Sequence, residues 1–310
     1  MMPKKLIIHC GTYKTGSSSL QNYLSNDLSN SFKYAESGLF TKEPEVGIRH
    51  SLLVYSSDWQ LYCDELIKEI LDTDVPIVIS SEAYSRSGSV DKLSYLVGSC
   101  KDKGIIVKGL IYIRNYFDYI RSFYREMTQR RGNMRTPEDF FGIYHRGVFD
   151  YKLMASNFSK VFGTDCIDFV AYKKGIDVIS IFYDLCGFDY LDSAQEPIVK
   201  SNQSITALET EVIRVLNSRD LSKNSNEILF HAKDFLTKNT QAVKGLEKSV
   251  ESLSFVEEPS SLYKEKLNKI LCWKQADLDE LYIRPNIDEG KYLDTELVMS
   301  LMSYNEKIHH

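Results

Sequence analysis

Residues 6–24 read LIIHCGTYKTGSSSLQNYL: an apolar run passes through Gly11 and Gly16 into three serines. A strand, a glycine turn and a helix N-terminus in that order can capture an anion. Glycines let the backbone approach the ligand, successive N–H groups face it, and the helix end carries partial positive charge. Lys14 adds a full charge on the same turn, and Thr15, Ser17 and Ser18 add hydroxyl donors. Gly11 and Gly16 keep the glycine spacing of a Walker A loop, GxxxxGK[ST], but Ser17 takes the lysine position and Lys14 sits two residues before Gly16. No second-strand Asp stands out to hold a metal, so the turn suits a phosphate whose chemistry does not require Mg²⁺. Taken alone, such a turn reads equally well as a capped helix with an exposed lysine. Its place at the carboxyl end of the first strand favours binding, because open α/β sheets take their ligands there.

The second constellation is GLIYIRNYFDYIRSFYREM, residues 109–127. Arg114 ends an apolar strand and Ser122 lies eight residues later on the following helix. A strand-end guanidinium and a helical hydroxyl can converge on one phosphate, the Arg by bidentate hydrogen bonding. Alone, Arg114 is better read as a carboxylate partner and Ser122 as helix surface.

Together the two segments resemble the PAPS-dependent sulfotransferases. That family carries a KxGT/S-type loop after its first strand, for the 5′-phosphate of PAPS, and an Arg–x₇–Ser pair for the 3′-phosphate. The matching residues are Lys14, Thr15, Gly16, Ser17 and Ser18, with Arg114 and Ser122. The likeness spans about residues 4–205 and takes in ISSEAYS (79–85), TPEDFF (136–141) and SNQS (201–204). Within the family it looks like the bacterial carbohydrate-type members. One departure is Tyr116, where the family usually has Pro after Arg-Asn.

The resemblance implies in-line sulfuryl transfer without metal, from PAPS to a hydroxyl or amine of a small-molecule or glycan acceptor, leaving PAP. Lys14 then stabilises the leaving oxygen. A base must take the acceptor's proton. Glu82, directly beyond the apolar run PIVIS, is the first candidate, and it resembles the strand-end catalytic Glu of the carbohydrate-type enzymes. His50, in GIRHSLL, is the second. His9 lies inside the first strand and reads as buried, while His145 and His231 have no supporting context. Arg125, Arg130, Arg131 and Arg135 suit a helix C-terminus or an anionic cleft equally. Lys200, Asn202 and Ser204 either fold over the cofactor, as the resemblance implies, or cap a helix. Two other readings stay open: a P-loop nucleotide kinase, and a protein that binds PAP or a nucleotide without turnover.

These residues need a scaffold that brings strand ends to one edge. Leu6–Cys10, Pro76–Ser80, Ile105–Ile113 and Cys166–Ala171 are short runs rich in Ile and Val without strict polar alternation, which predicts buried parallel strands. Helix candidates intervene at 17–29, 58–72, 89–103, 116–131 and 176–187. The expected class is α/β, a P-loop-like doubly wound parallel sheet over residues 1–190. Beyond Tyr190, Ile205, Leu208, Val212, Val215 and Leu216 share one helical face, and helical stretches follow near 225–237, 240–252, 260–272 and 276–282. Residues 191–310 are expected to form a helical extension packed on the same core, giving a single domain over 1–310.

Composition bounds the partners. The chain has 310 residues, 43% hydrophobic and 26% charged, with a net charge of −5 and a pI near 5.8. That excludes a disordered chain and a generic polyanion binder, so no nucleic acid is expected, and an anionic ligand must be held by a few local cations. No apolar run approaches a membrane span or a secretion signal. Six scattered cysteines without a CxxC pair are expected to stay reduced, and a cytoplasmic location follows. His309 and His310 are given no role.

Overall fold

A computed structural model describes residues 3–27, 29–42, 45–173, 175–189, 205–219, 225–238 and 256–282. Its strands are β1 (Lys5–His9), β2 (Lys33–Tyr34), β3 (Phe40–Lys42), β4 (Glu45–Arg49), β5 (Ile77–Ser80), β6 (Ile106–Arg114) and β7 (Ile167–Tyr172). The helices that flank them are α1 (Ser17–Ser25), α2 (Leu52–Tyr55), α3 (Trp59–Asp72), α4 (Val90–Asp102), α5 (Tyr116–Arg131), α6 (Pro137–Tyr144), α7 (Tyr151–Phe162) and α8 (Val178–Cys186). Further along come α9 (Ala207–Arg219), α10 (Ser225–Lys238) and the helices Ser261–Leu271 and Gln275–Leu281. The predicted stretch at 240–252 lies outside the described residues.

Five strands form a parallel sheet in the order β2-β5-β1-β6-β7, with β3 and β4 as a separate antiparallel pair. Successive sheet strands β5 and β6 lie on opposite sides of β1, so the chain reverses direction around β1. That puts the topological switch point at the carboxyl end of β1, where open sheets place their ligands. The α/β class and the parallel sheet expected from the apolar runs are what the chain adopts. Leu6, Ile7, Ile8, Ile77, Val78, Ile79 and Ile111 are fully buried, each side chain contributing about 1.5–3 kcal/mol.

Helices cover both faces. Ile7, Val78, Leu110 and Tyr112 pack with Leu20 and Leu24 of α1 and with Val178 and Phe182 of α8. On the opposite face Gly109 lies against the ring of Phe162 on α7, where an added Cβ would approach within 3.1 Å. Helices α4 and α7 both pack on β6. Lys5 and Lys108 donate to the last carbonyls of α8, at Cys186 (3.2 Å) and Leu185 (2.7 Å), the usual service of cations at a helix C-terminus.

The chain divides into two compact units. One comprises residues 1–115, 146–199 and 260–281 and contains the whole sheet. The other comprises residues 116–145, 200–259 and 282–310. In the second, Ile205, Leu208, Val212, Val215, Ile228, Ala232 and Phe235 form a core of their own, which includes most of the face read from the sequence. Helix α5 packs on α9 there. Its Tyr124 hydroxyl donates to Glu211 at 2.8 Å, and Glu211 also holds Arg214 at 2.8 Å, a fully buried charge pair.

Candidate active site

The turn after β1 stays tied to the sheet. Cys10 N–H donates to Leu110 O at 2.8 Å, Tyr112 N–H to Gly11 O at 2.8 Å, and Thr12 N–H to Tyr112 O at 3.1 Å. The chain then turns through three left-handed residues, Gly11 (φ 84°), Lys14 (φ 65°) and Gly16 (φ 77°). Lysine is strained in that conformation, and such strain concentrates where geometry serves a function. Helix α1 starts directly after Gly16 with no side chain capping its first turn. The leading N–H groups of an uncapped helix are left open for an acceptor, and helix N-termini of this kind bind anions.

Among the hydroxyls, Thr15 donates to Thr12 O at 2.7 Å and Ser17 to the same oxygen at 3.1 Å. Both side chains are buried, so they brace the turn. Ser18 is exposed on the first turn of α1, as is Lys14 on the loop. Arg114, at the end of β6, donates from Nη1 to Lys14 O at 2.9 Å and lies over the Tyr172 ring at 5.8 Å. Arg114 therefore reaches the backbone of the turn that carries Lys14.

Glu82 opens a short 3₁₀ turn beyond β5 and is only 7% exposed. A Cβ on Gly11 would come within 3.0 Å of the Glu82 Cα, so the turn and the carboxylate-bearing segment touch. The Gln21 amide of α1 donates to Glu82 Oε2 at 3.3 Å and to Ser80 Oγ at 3.1 Å. Ser80 Oγ in turn shares a 2.7 Å hydrogen bond with His9 Nδ1. Sequence reading missed Gln21 and Ser80, although a glutamine beside Leu20 and Leu24 on a buried helix face was the available signal.

His50 is placed differently from a base. Its ring is fully buried, Nε2 bonds Ala35 O at 2.9 Å, and Nδ1 accepts the Ser80 N–H at 3.1 Å. Both nitrogens are spent on the backbone, and burial holds the ring's pKa down at about 4. Its geometry is that of a strut between the sheet edge and the loop behind it. His9 is likewise fully buried, with a pKa lowered by burial to about 3.

A second missed cluster stands beside Glu82. Arg86 donates to the Tyr13 hydroxyl at 2.8 Å and stacks against the rings of Tyr13 (5.3 Å) and Tyr55 (5.6 Å). Burial raises the Tyr13 pKa, Arg86 lowers it, and the Tyr55 contact and the Glu82 charge raise it further. Tyr55 is 53% exposed.

The other residues singled out in the sequence belong elsewhere. Ser122, half-buried on α5, lies in the unit without the sheet, as do Arg125, Arg130, Arg131 and Arg135. His145 bonds Gly142 O through Nδ1 at 2.8 Å, and His231 packs edge-on against Phe230. Lys200, Asn202 and Ser204 lie outside the described residues. No described helix is long and apolar enough to cross a membrane, and the six cysteines are free thiols.

No protein-family model and no curated protein sequence matches the chain. Among solved structures it is similar to a sulfotransferase from Alicyclobacillus acidocaldarius, with a TM-score of 0.42 and 19% identity over 72% of this chain and 98% of that one. It is also similar to the sulfotransferase domain from the curacin biosynthetic pathway, with a TM-score of 0.42 and 13% identity over 88% of this chain and 99% of that one. Both neighbours are sulfotransferases.

Proposed function

We propose that this protein is a sulfotransferase that moves a sulfuryl group from PAPS to a hydroxyl or amine of an acceptor, a carbohydrate or glycoconjugate by its sequence resemblance. The observation that carries the reading is the meeting of three features at one sheet edge. They are a turn bearing Lys14 with the strand-end Arg114 bonded to its backbone, an uncapped N-terminus of α1, and a buried carboxylate whose segment touches that turn at Gly11.

These residues fit the phosphosulfate end of PAPS. The N–H groups of Gly16, Ser17 and Ser18 and the Lys14 ammonium are donors for the 5′-phosphate. Arg114, at the end of β6, is the donor for the 3′-phosphate. The acceptor oxygen attacks sulfur in line; the new S–O bond forms as the bond to the bridging oxygen breaks, and that electron pair leaves on the 5′-phosphate of PAP. By analogy with phosphoryl transfer the transition state is loose, so catalysis is positioning and charge stabilisation. Lys14 and the helix N-terminus stabilise the developing negative charge, while Glu82 takes the acceptor's proton. His50 has no place in this scheme, because both ring nitrogens are engaged.

The test is a pair of thermal shifts. PAP without metal is expected to raise the melting temperature, and ATP with Mg²⁺ is not; at about 100-fold above Kd the stabilisation is about 2.7 kcal/mol. Arg114→Ala is expected to weaken the PAP response. A response to ATP–Mg²⁺ in preference to PAP would point to a kinase and overturn the reading.

A further inference from the structure

A carboxylate acts as a general base when one oxygen is within reach of the proton, and a hydrogen bond to its other oxygen fixes that orientation. In this protein the occupied oxygen is Oε2 of Glu82, 3.3 Å from Gln21 Nε2. An ionised carboxylate accepts hydrogen bonds and donates none, so the nitrogen of the Gln21 amide, not its oxygen, must face it. That nitrogen has two hydrogens, and the second goes to Ser80 Oγ at 3.1 Å. Ser80 is itself tethered to His9 Nδ1 at 2.7 Å, and His9, Ser80 and Gln21 are each at most 3% exposed. No described residue hydrogen-bonds Oε1 of Glu82.

The arrangement runs across three elements: His9 on β1, Ser80 on β5, Gln21 on α1. Burying this much polar surface costs free energy that an apolar glutamine substitute would avoid. Among the described residues His9 Nε2 has no hydrogen-bond partner. A packing role alone does not account for a polar chain that ends on the carboxylate of Glu82.

We propose that Gln21 is a positioning residue for sulfuryl transfer: its amide pins Oε2 of Glu82 and leaves Oε1 to receive the acceptor's proton, while Ser80 and His9 fix the amide. The inference rests on the reading of Glu82 as the base.

The experiment measures sulfuryl transfer from labelled PAPS to a panel of mono- and disaccharides, and PAP affinity by thermal shift, in four variants. Gln21→Met removes the donor and keeps the volume. Gln21→Glu keeps the shape and replaces the donor by a second carboxylate. Glu82→Gln and the Gln21→Met/Glu82→Gln pair complete a cycle. Gln21→Met is expected to lower kcat by about tenfold or more, the usual worth of a hydrogen bond to a charged group, with KM and PAP affinity nearly unchanged. Gln21→Glu is expected to lose at least as much, although it is the better steric match. In the Glu82→Gln background Gln21→Met is expected to cost almost nothing more.

Wild-type kcat in Gln21→Glu would overturn the proposal, as would an equal loss from Gln21→Met with and without Glu82, which would mark a purely structural role. If Gln21→Met does not fold, the isosteric Gln21→Glu carries the decision. Near-normal turnover of Glu82→Gln would instead remove the base reading itself, and this inference with it. No transfer to any acceptor in the wild-type protein would remove both.

Discussion

At Glu82 one carboxylate oxygen is anchored at 3.3 Å and the residue is 7% exposed, which is what a base needs to be both oriented and reachable. Glu82→Gln is expected to leave the PAP thermal shift intact while cutting turnover about 10²–10⁴-fold; turnover near wild type would hand the proton to another group. The buried histidines make a separate prediction. Folding lowers their pKa values from 6.5 to about 3 for His9 and about 4 for His50, so the unfolded chain binds these protons more readily. Their stabilising contribution is therefore complete above about pH 6.5. It is lost as pH falls toward about 4 for His50 and about 3 for His9. Each ring costs about 1.4 kcal/mol per pH unit in its window, or about 2 kcal/mol by pH 5. Urea unfolding at pH 7 and pH 5 is expected to show that loss, and a His50→Gln variant a shallower one. Equal stability at the two pH values would mean that the rings are solvated.

Among the elements, the β1–α1 turn is the one whose geometry leaves least room. Gly11 has a positive φ of 84°, and a Cβ there would meet the backbone of Glu82 at 3.0 Å. Gly11→Ala is expected to cost about 1–3 kcal/mol in chemical denaturation and to lower turnover by shifting Glu82. A variant as stable and active as wild type would show that the turn and the carboxylate move independently. The strands and helices that carry this turn were legible in the sequence. Their apolar runs are dense and β-branched, and Arg114 and Glu82 were placed at strand ends on that pattern alone. Other elements were not legible, for identifiable reasons. β2 has two residues and no periodicity to read, and the β3–β4 pair is short and interrupted by charge. Helix α7 buries Tyr151, Met154, Ala155, Phe158, Val161 and Phe162 along a proper helical face, yet opens in a run of Gly and aromatics that reads as loop.

For the whole molecule, the expectation of a single domain over 1–310 predicts one calorimetric transition; two resolved transitions would separate the units. Chain order makes a sharper prediction. The helices Ser261–Leu271 and Gln275–Leu281 belong to the sheet-bearing unit, where Trp273 donates to Phe169 O at 2.7 Å and Tyr263 to Asp150 at 2.9 Å. Leu267, Leu271, Leu278 and Leu281 are buried there, together worth roughly 6–12 kcal/mol, which is comparable with the net stability of a domain. A chain cut after Pro259 is therefore expected to lose its cooperative melting transition as well as PAP binding, and a normal transition would contradict that assignment. From local pattern alone came the sheet, the glycine turn after β1, the two cations and the strand-end carboxylate, because each is written in residue type and short-range spacing. Only the tertiary structure decided that Thr15 and Ser17 brace the turn, that His50 is a strut, and that Gln21 reaches Glu82 across 61 positions. Those are hydrogen bonds between elements distant in sequence, and a buried polar group reveals its partner only once packing has brought the two together.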